Sequence, residues 1–250
     1  MIITTIYDIM TKEIKGMSDG QHFWYWIFPA ALLSLLMALF FSGIPIFVKI
    51  INPPLNREWG MLENIQLVIV AVMIGVSFYA MWTKGPKLQK LGFGLIFVFA
   101  VFVFLEEIDY GAHFREYFSG ERRSQLSILT GVYNIHNRGQ YTAAIIKRSV
   151  YFLMLIIFII APYLKHAIKN DLISYLIPYP KIVLTAVLTV LVELTARLLV
   201  PLNNLRLENL TMDIGEFSEI MVYYVFLLYV IQLAFEKEFI ISNRADAARK

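Results

Sequence analysis

The sequence predicts an all-α fold, a polytopic helical membrane protein with about six transmembrane helices, and three features carry that prediction. Of the 250 residues, 58% are hydrophobic and only 16% are charged, against about 45–50% and about 25% in soluble domains. The apolar residues come in blocks of about 20, the length a helix needs to cross roughly 30 Å of hydrocarbon. The weak alternation over about ten residues that marks transmembrane strands is missing from the sequence.

Residues 1–22 form an N-terminal segment in which Ile2, Ile6, Ile9 and Met10 share one helical face. It suits an interfacial helix or a disordered tail, and polar residues before the first long apolar run argue against a secretory signal. The first span, 23–49, opens at "HFWYW", as expected where aromatic rings sit at the lipid headgroups. Pro29 and Pro45 are expected to kink it. "INPPLNREWG" reads as a turn, 60–82 as the second span, and "TKGPKLQK" as the link to the third, 91–108. A polar loop, 109–147, follows. The fourth span is 148–164, "IKNDLISYLIPYPK" is a connector, and the fifth, 181–200, is stopped by Pro201. "LNNLRLENLTMDIGEF" leads to the sixth, 217–235, and a charged tail, 236–250, closes the sequence. Residues 23–235 therefore make one membrane domain.

Several functions are disfavoured. A net charge of +3 with no basic stripe argues against nucleic acid. The chain has no cysteine, which removes thiolate metal sites and cysteine nucleophiles. No glycine-rich phosphate loop is present, and no histidine lies mid-span to ligate haem.

An even number of spans puts both termini on one side. That side receives Lys12, Lys15, Lys84, Lys87, Lys90, Lys165, Lys169, Lys181 and Lys237. By the bias of lysine and arginine in short connectors it is predicted to be cytoplasmic. Arg115, Arg122, Arg123, Arg138, Lys147 and Arg148, in and beside the long loop, pull the other way.

Alternation of the spans then brings the acids to the opposite face. Glu58 and Glu63 open the second span, Glu106, Glu107, Asp109 and His113 end the third, and Asn134, His136 and Asn137 lie in the loop. Glu193 and Arg197 end the fifth span, and Glu216 and Glu219 open the sixth. Glu106, Asp109 and His113 stand at i, i+3 and i+7, so a continuing helix would present all three on one face, with Glu107 turned elsewhere. Two carboxylates and an imidazole suit a divalent cation. Glu193 and Arg197 form an i, i+4 pair in the favourable order. An acid at membrane depth costs on the order of 2.5–3.5 kcal/mol, so Glu193 is expected to face the bundle interior. Glu106 and Glu107 crowd the negative end of a helix and need an offsetting arginine, cation or proton. Glutamates at helix starts are also favoured by the helix dipole alone.

"EEIDYG" followed by "NIHN" resembles a family of bacterial multi-span proteins with "EEISWGQ" and a later "NLHN". Their preceding helix opens with E-x-G-x-x-E, matched by Glu58, Gly60 and Glu63. The resemblance covers roughly 57–140; Asp109, Tyr110 and Ala112 stand where the family has Ser, Trp and Gln. It implies a bacterial inner membrane and that Glu63, Glu106, Glu107, Asn134, His136 and Asn137 form one site, and it implies no reaction.

Three functions fit. The first is an enzyme at the extracytoplasmic leaflet acting on a membrane lipid or lipid-linked substrate. Glu63, Glu106, Glu107 and His136 would be its catalytic groups, Glu106, Asp109 and His113 would hold a divalent cation, and Glu193, Arg197, Asn134 and Asn137 would bind substrate. The second is a non-catalytic subunit or scaffold whose 109–147 loop docks other membrane subunits. The third is a proton- or cation-conducting component lined by intramembrane acids.

Overall fold

The computed structural model describes residues 16–53, 60–108, 140–199 and 210–237. No strand occurs among them. They fold into α1 (Asp19–Phe41), α2 (Pro45–Ile51), α3 (Met61–Thr83), α4 (Lys87–Glu107), α5 (Gln140–Met154), α6 (Asp171–Leu176), α7 (Val183–Leu199) and α8 (Leu210–Ile231). α5 continues through a π-helical turn, Leu155–Ile160, into Ala161–Leu164, and α8 ends in another, Gln232–Glu236. Six segments are long and apolar enough to cross a membrane: Asp19–Phe41, Met61–Thr83, Lys87–Glu107, Ile145–Leu164, Asp171–Thr195 and Ile214–Glu236. The chain is a multi-pass helical membrane protein.

Local chemistry sets where each span begins and ends. Ser18 caps α1 in a reciprocal box: its Oγ accepts from Gln21 N at 3.3 Å, and Gln21 Oε1 accepts from Ser18 N at 3.2 Å. The cap starts the helix at Asp19, ahead of the aromatic cluster expected to open it. The first span was expected to run to 49, but it stops at Phe41. Gly43 adopts φ +71°, the left-handed turn that glycine tolerates, and Pro45 opens α2 as a separate short helix. The polar loop expected to reach 147 ends earlier, because α5 is already helical at Gln140.

Pro29 and Pro162, inside the first and fourth spans, have a common consequence. Pro29 and Pro162 each follow closely on a π-helical turn, Phe23–Ile27 and Leu155–Ile160. Proline lacks the N–H for the carbonyl four residues back and its ring collides with that carbonyl, so the wider turn relieves the clash. Before Pro29, neighbouring helices serve the carbonyls left behind. Thr185 Oγ1 donates to the carbonyl of Tyr25, and Tyr224 Oη donates to that of Trp24 at 2.6 Å. In lipid this substitution is required, since no water reaches the backbone.

α8 is the central helix. It packs on α7, α3 and α1, and 61% of its apolar window is buried, against 17% for α4. Phe217, Met221, Val225 and Leu228 face the core with Phe158, Val70 and Leu36. Large apolar side chains cover the outside, among them Val68, Trp82, Leu95, Val98 and Phe99. Such a surface belongs against hydrocarbon chains.

Candidate functional site

Parallel packing of α3 and α8, with α4 antiparallel against α3, brings three helix ends to one rim. Glu63 is the third residue of α3 and Glu107 the last of α4; Glu216 and Glu219 lie on α8 near the start of its span. The Glu63 and Glu216 carboxyl groups are hydrogen-bonded to each other, and Glu107 and Glu219 stand close enough to act on Glu63 electrostatically. A bond between two carboxyl groups needs one proton between them, since ionised carboxylates only accept.

Other side chains tie the group together. Tyr223 Oη donates to Glu107 Oε1, and Lys147 from α5 forms an ion pair with Glu219 Oε1. Glu216 and Glu193 also lie within the electrostatic reach of Lys147. Ser218 Oγ is 3.1 Å from Glu193 Oε2 and 2.8 Å from the carbonyl of Gly215, while Tyr151 Oη lies 2.6 Å from Ser218 Oγ. Tyr151, Ser218 and Glu193 thus make a hydroxyl relay across α5, α8 and α7. Among the described interactions Lys147 is the cation that answers these glutamates.

One turn below Glu63, on the same helical face, lies Gln66. It is 1% exposed, and neither its Oε1 nor its Nε2 has a hydrogen-bond partner among the described residues. Burying an amide without partners costs on the order of 1–3 kcal/mol. The side chain therefore offers both a donor and an acceptor directly beneath the carboxyl groups.

The residues singled out from sequence divide into two sets. Glu63, Glu107, Glu193, Glu216 and Glu219 meet as described. Glu106 is buried at 6% exposed. Glu107 was expected to turn away, but it reaches Tyr223, because the end of α4 lies beside both α3 and α8. α4 ends at Glu107 with Ile108 as its cap, so regular helical spacing from Glu106 stops there. Asp109, His113, Asn134, His136 and Asn137, and Glu58 with them, lie outside the described residues. Arg197 occupies the turn of α7 after Glu193, with its side chain outside the description. Among the described residues no three His, Cys, Asp or Glu side chains form a group that could hold a metal ion.

Lys147, Tyr151, Gln66, Ser218 and Tyr223 were missed. Gln66 had a legible signal, an amide inside an apolar run at i+3 from an acid. Tyr151 and Tyr223 carry no distinguishing signal in the sequence, because aromatic side chains abound in most of the spans.

A second polar network, also unforeseen, occupies the opposite rim. Glu236 accepts from Tyr25 Oη and Gln21 Nε2, each at 3.3 Å, and its Oε2 is 2.5 Å from Lys181 Nζ. Lys237 Nζ donates to the carbonyls of Tyr175, at 2.7 Å, and Ile177. Burial, with Lys165 nearby, pushes the Lys237 ammonium down to about 7.

No protein-family model matches the chain, and neither a curated protein nor a solved structure matches it. What the described helices establish is a multi-pass helical membrane protein.

Proposed function

We propose that the protein is a membrane-embedded enzyme that uses the Glu63–Glu216 carboxyl pair for general acid–base chemistry on a lipid or lipid-linked substrate at the extracytoplasmic rim. The observation that carries this reading is the hydrogen bond between the two carboxyl groups, donated by different helices. A pair that shares one proton holds a ready acid and a ready base side by side. Glu107, oriented by Tyr223, is placed to exchange protons with the pair. In this reading Glu106, Asp109 and His113 hold a divalent cation, His136 is a further acid–base group, and Glu193, Arg197, Asn134 and Asn137 bind the substrate. The inner membrane of a bacterium, with both termini cytoplasmic, fits the lysines gathered at the opposite rim.

The test is turnover in vesicles made from a total bacterial lipid extract, followed by mass spectrometry. Wild type should convert one lipid class, and Glu63→Gln or Glu216→Gln should each slow that conversion at least about 100-fold. Unchanged lipids with wild-type protein would remove the enzyme reading. Gln66, a buried amide one turn deeper in the span, favours a second reading, a proton- or cation-conducting path. A pH-sensitive dye inside the same vesicles separates the two: flux lost in Glu63→Gln, without lipid conversion, selects conduction.

A further inference from the structure

The rim opposite the carboxyl groups collects ammonium groups around one aromatic ring. Lys165 leads out of α5, Lys181 precedes α7 and Lys237 follows α8. Their Nζ atoms stand 4.9, 5.5 and 4.9 Å from the centroid of Tyr179. Among the described interactions a single carboxylate answers them: Glu236, which pairs with Lys181. Lys237 spends two of its three N–H donors on backbone carbonyls, which carry no net charge. For Lys165 the described contact is the Tyr179 ring. Lys165 and Lys237 therefore stand on the same ring, Lys165 adds to the cost of charging the buried Lys237, and Glu236, already paired with Lys181, offsets that cost only in part.

We propose that Lys165 and Lys237, beside Tyr179, bind the phosphate of an anionic membrane phospholipid. The position fits. Lys165 and Lys237 lie at the ends of spans, Lys165 half-buried on the outer side and Lys237 behind it at 4% exposed, and long apolar side chains are exposed next to them on the hydrocarbon side. Leu164 precedes Lys165 and is 53% exposed; Phe235 lies two residues before Lys237 and is 58% exposed. Acyl chains have a surface to lie on, which a free phosphate ion would not use. Basic groups between helices on the cytoplasmic side bind anionic headgroups by this combination of charge and apolar contact. The site is independent of the carboxyl pair at the other rim.

Native mass spectrometry of the full chain, taken from phosphatidylcholine vesicles or from an equal mixture with phosphatidylglycerol, tests it. Wild type should retain phosphatidylglycerol about tenfold more than phosphatidylcholine. Lys165→Gln should bring that ratio close to one, and Lys165→Arg should keep it. Lys87→Gln, an exposed lysine at the start of α4, should leave it unchanged. Equal losses in Lys165→Gln and Lys87→Gln would mean diffuse surface attraction and overturn the site. Thermal protection by inorganic phosphate in phosphatidylcholine, as large as that from phosphatidylglycerol, would overturn the lipid assignment. No preference in wild type would overturn both.

Discussion

Breaking the Lys181–Glu236 pair should destabilise the bundle unequally, depending on which partner is removed. The two groups are 2.5 Å apart, with side chains 6% and 20% exposed. Cutting one partner from a buried pair costs about 3–5 kcal/mol, because the other charge is left uncompensated. Lys181→Met leaves Glu236 with two donors, Tyr25 Oη and Gln21 Nε2. Glu236→Gln leaves the Lys181 ammonium with aromatic faces at 4.7 and 5.5 Å, Tyr25 and Tyr179, worth about 0.5–2 kcal/mol. Glu236→Gln should therefore cost about 4–5 kcal/mol and Lys181→Met about 3 kcal/mol. The double variant removes both charges and should recover at least about 2 kcal/mol relative to the sum of the singles. Reversible unfolding in mixed detergent micelles, followed by circular dichroism, reads all four corners of the cycle. Additivity within about 0.5 kcal/mol, or a reversed order of the singles, would refute the reasoning.

Two other outcomes follow from the same physics. Gln66→Met removes a buried amide that has no described partner, so the variant should be as stable as wild type or up to about 1–3 kcal/mol more stable. In the vesicle assay it should lose function; a drop in unfolding stability instead would expose a structural partner for the amide. Lys237 has its pKa lowered from 10.5 to about 7 in the fold, so below about pH 7 both folded and unfolded chains carry the charge and the burial cost is felt in full. As pH rises from about 7 toward 10.5 the folded chain has released the proton while the unfolded chain keeps it. Stability should climb by up to about 1.4 kcal/mol per pH unit in phosphatidylcholine micelles. Lys237→Met should flatten that climb, measured by the same unfolding titration.

The legible parts of this protein were those written in local pattern. Blocks of apolar residues gave the spans, because the length needed to cross hydrocarbon is a property of one segment. Alternation of those spans brought Glu63, Glu107, Glu193 and Glu219 to one rim, since each crossing reverses direction. Span ends were less legible. The Ser18–Gln21 cap and the left-handed turn at Gly43 moved them by several residues, and both depend on backbone geometry that hydrophobicity does not encode.

Partner choice was not legible. Tyr223 and Tyr151 look in sequence like any other aromatic residue of a span, and only the packing of α8 against α3, α5 and α7 turns them onto Glu107 and Ser218. The Lys181–Glu236 pair joins positions 55 residues apart on different helices. Pro29 was legible as a disturbance of α1, but that Thr185 and Tyr224 would serve the carbonyls of Tyr25 and Trp24 was not.

The sequence by itself determined that this chain is a helical membrane protein and which end of each helix is acidic, because burial in lipid acts on each segment separately. Tertiary structure alone decided which acids touch, which hydroxyls serve them and which lysines surround Tyr179. Those contacts depend on helix rotation and depth, and rotation and depth are set by interlocking side chains on several helices at once.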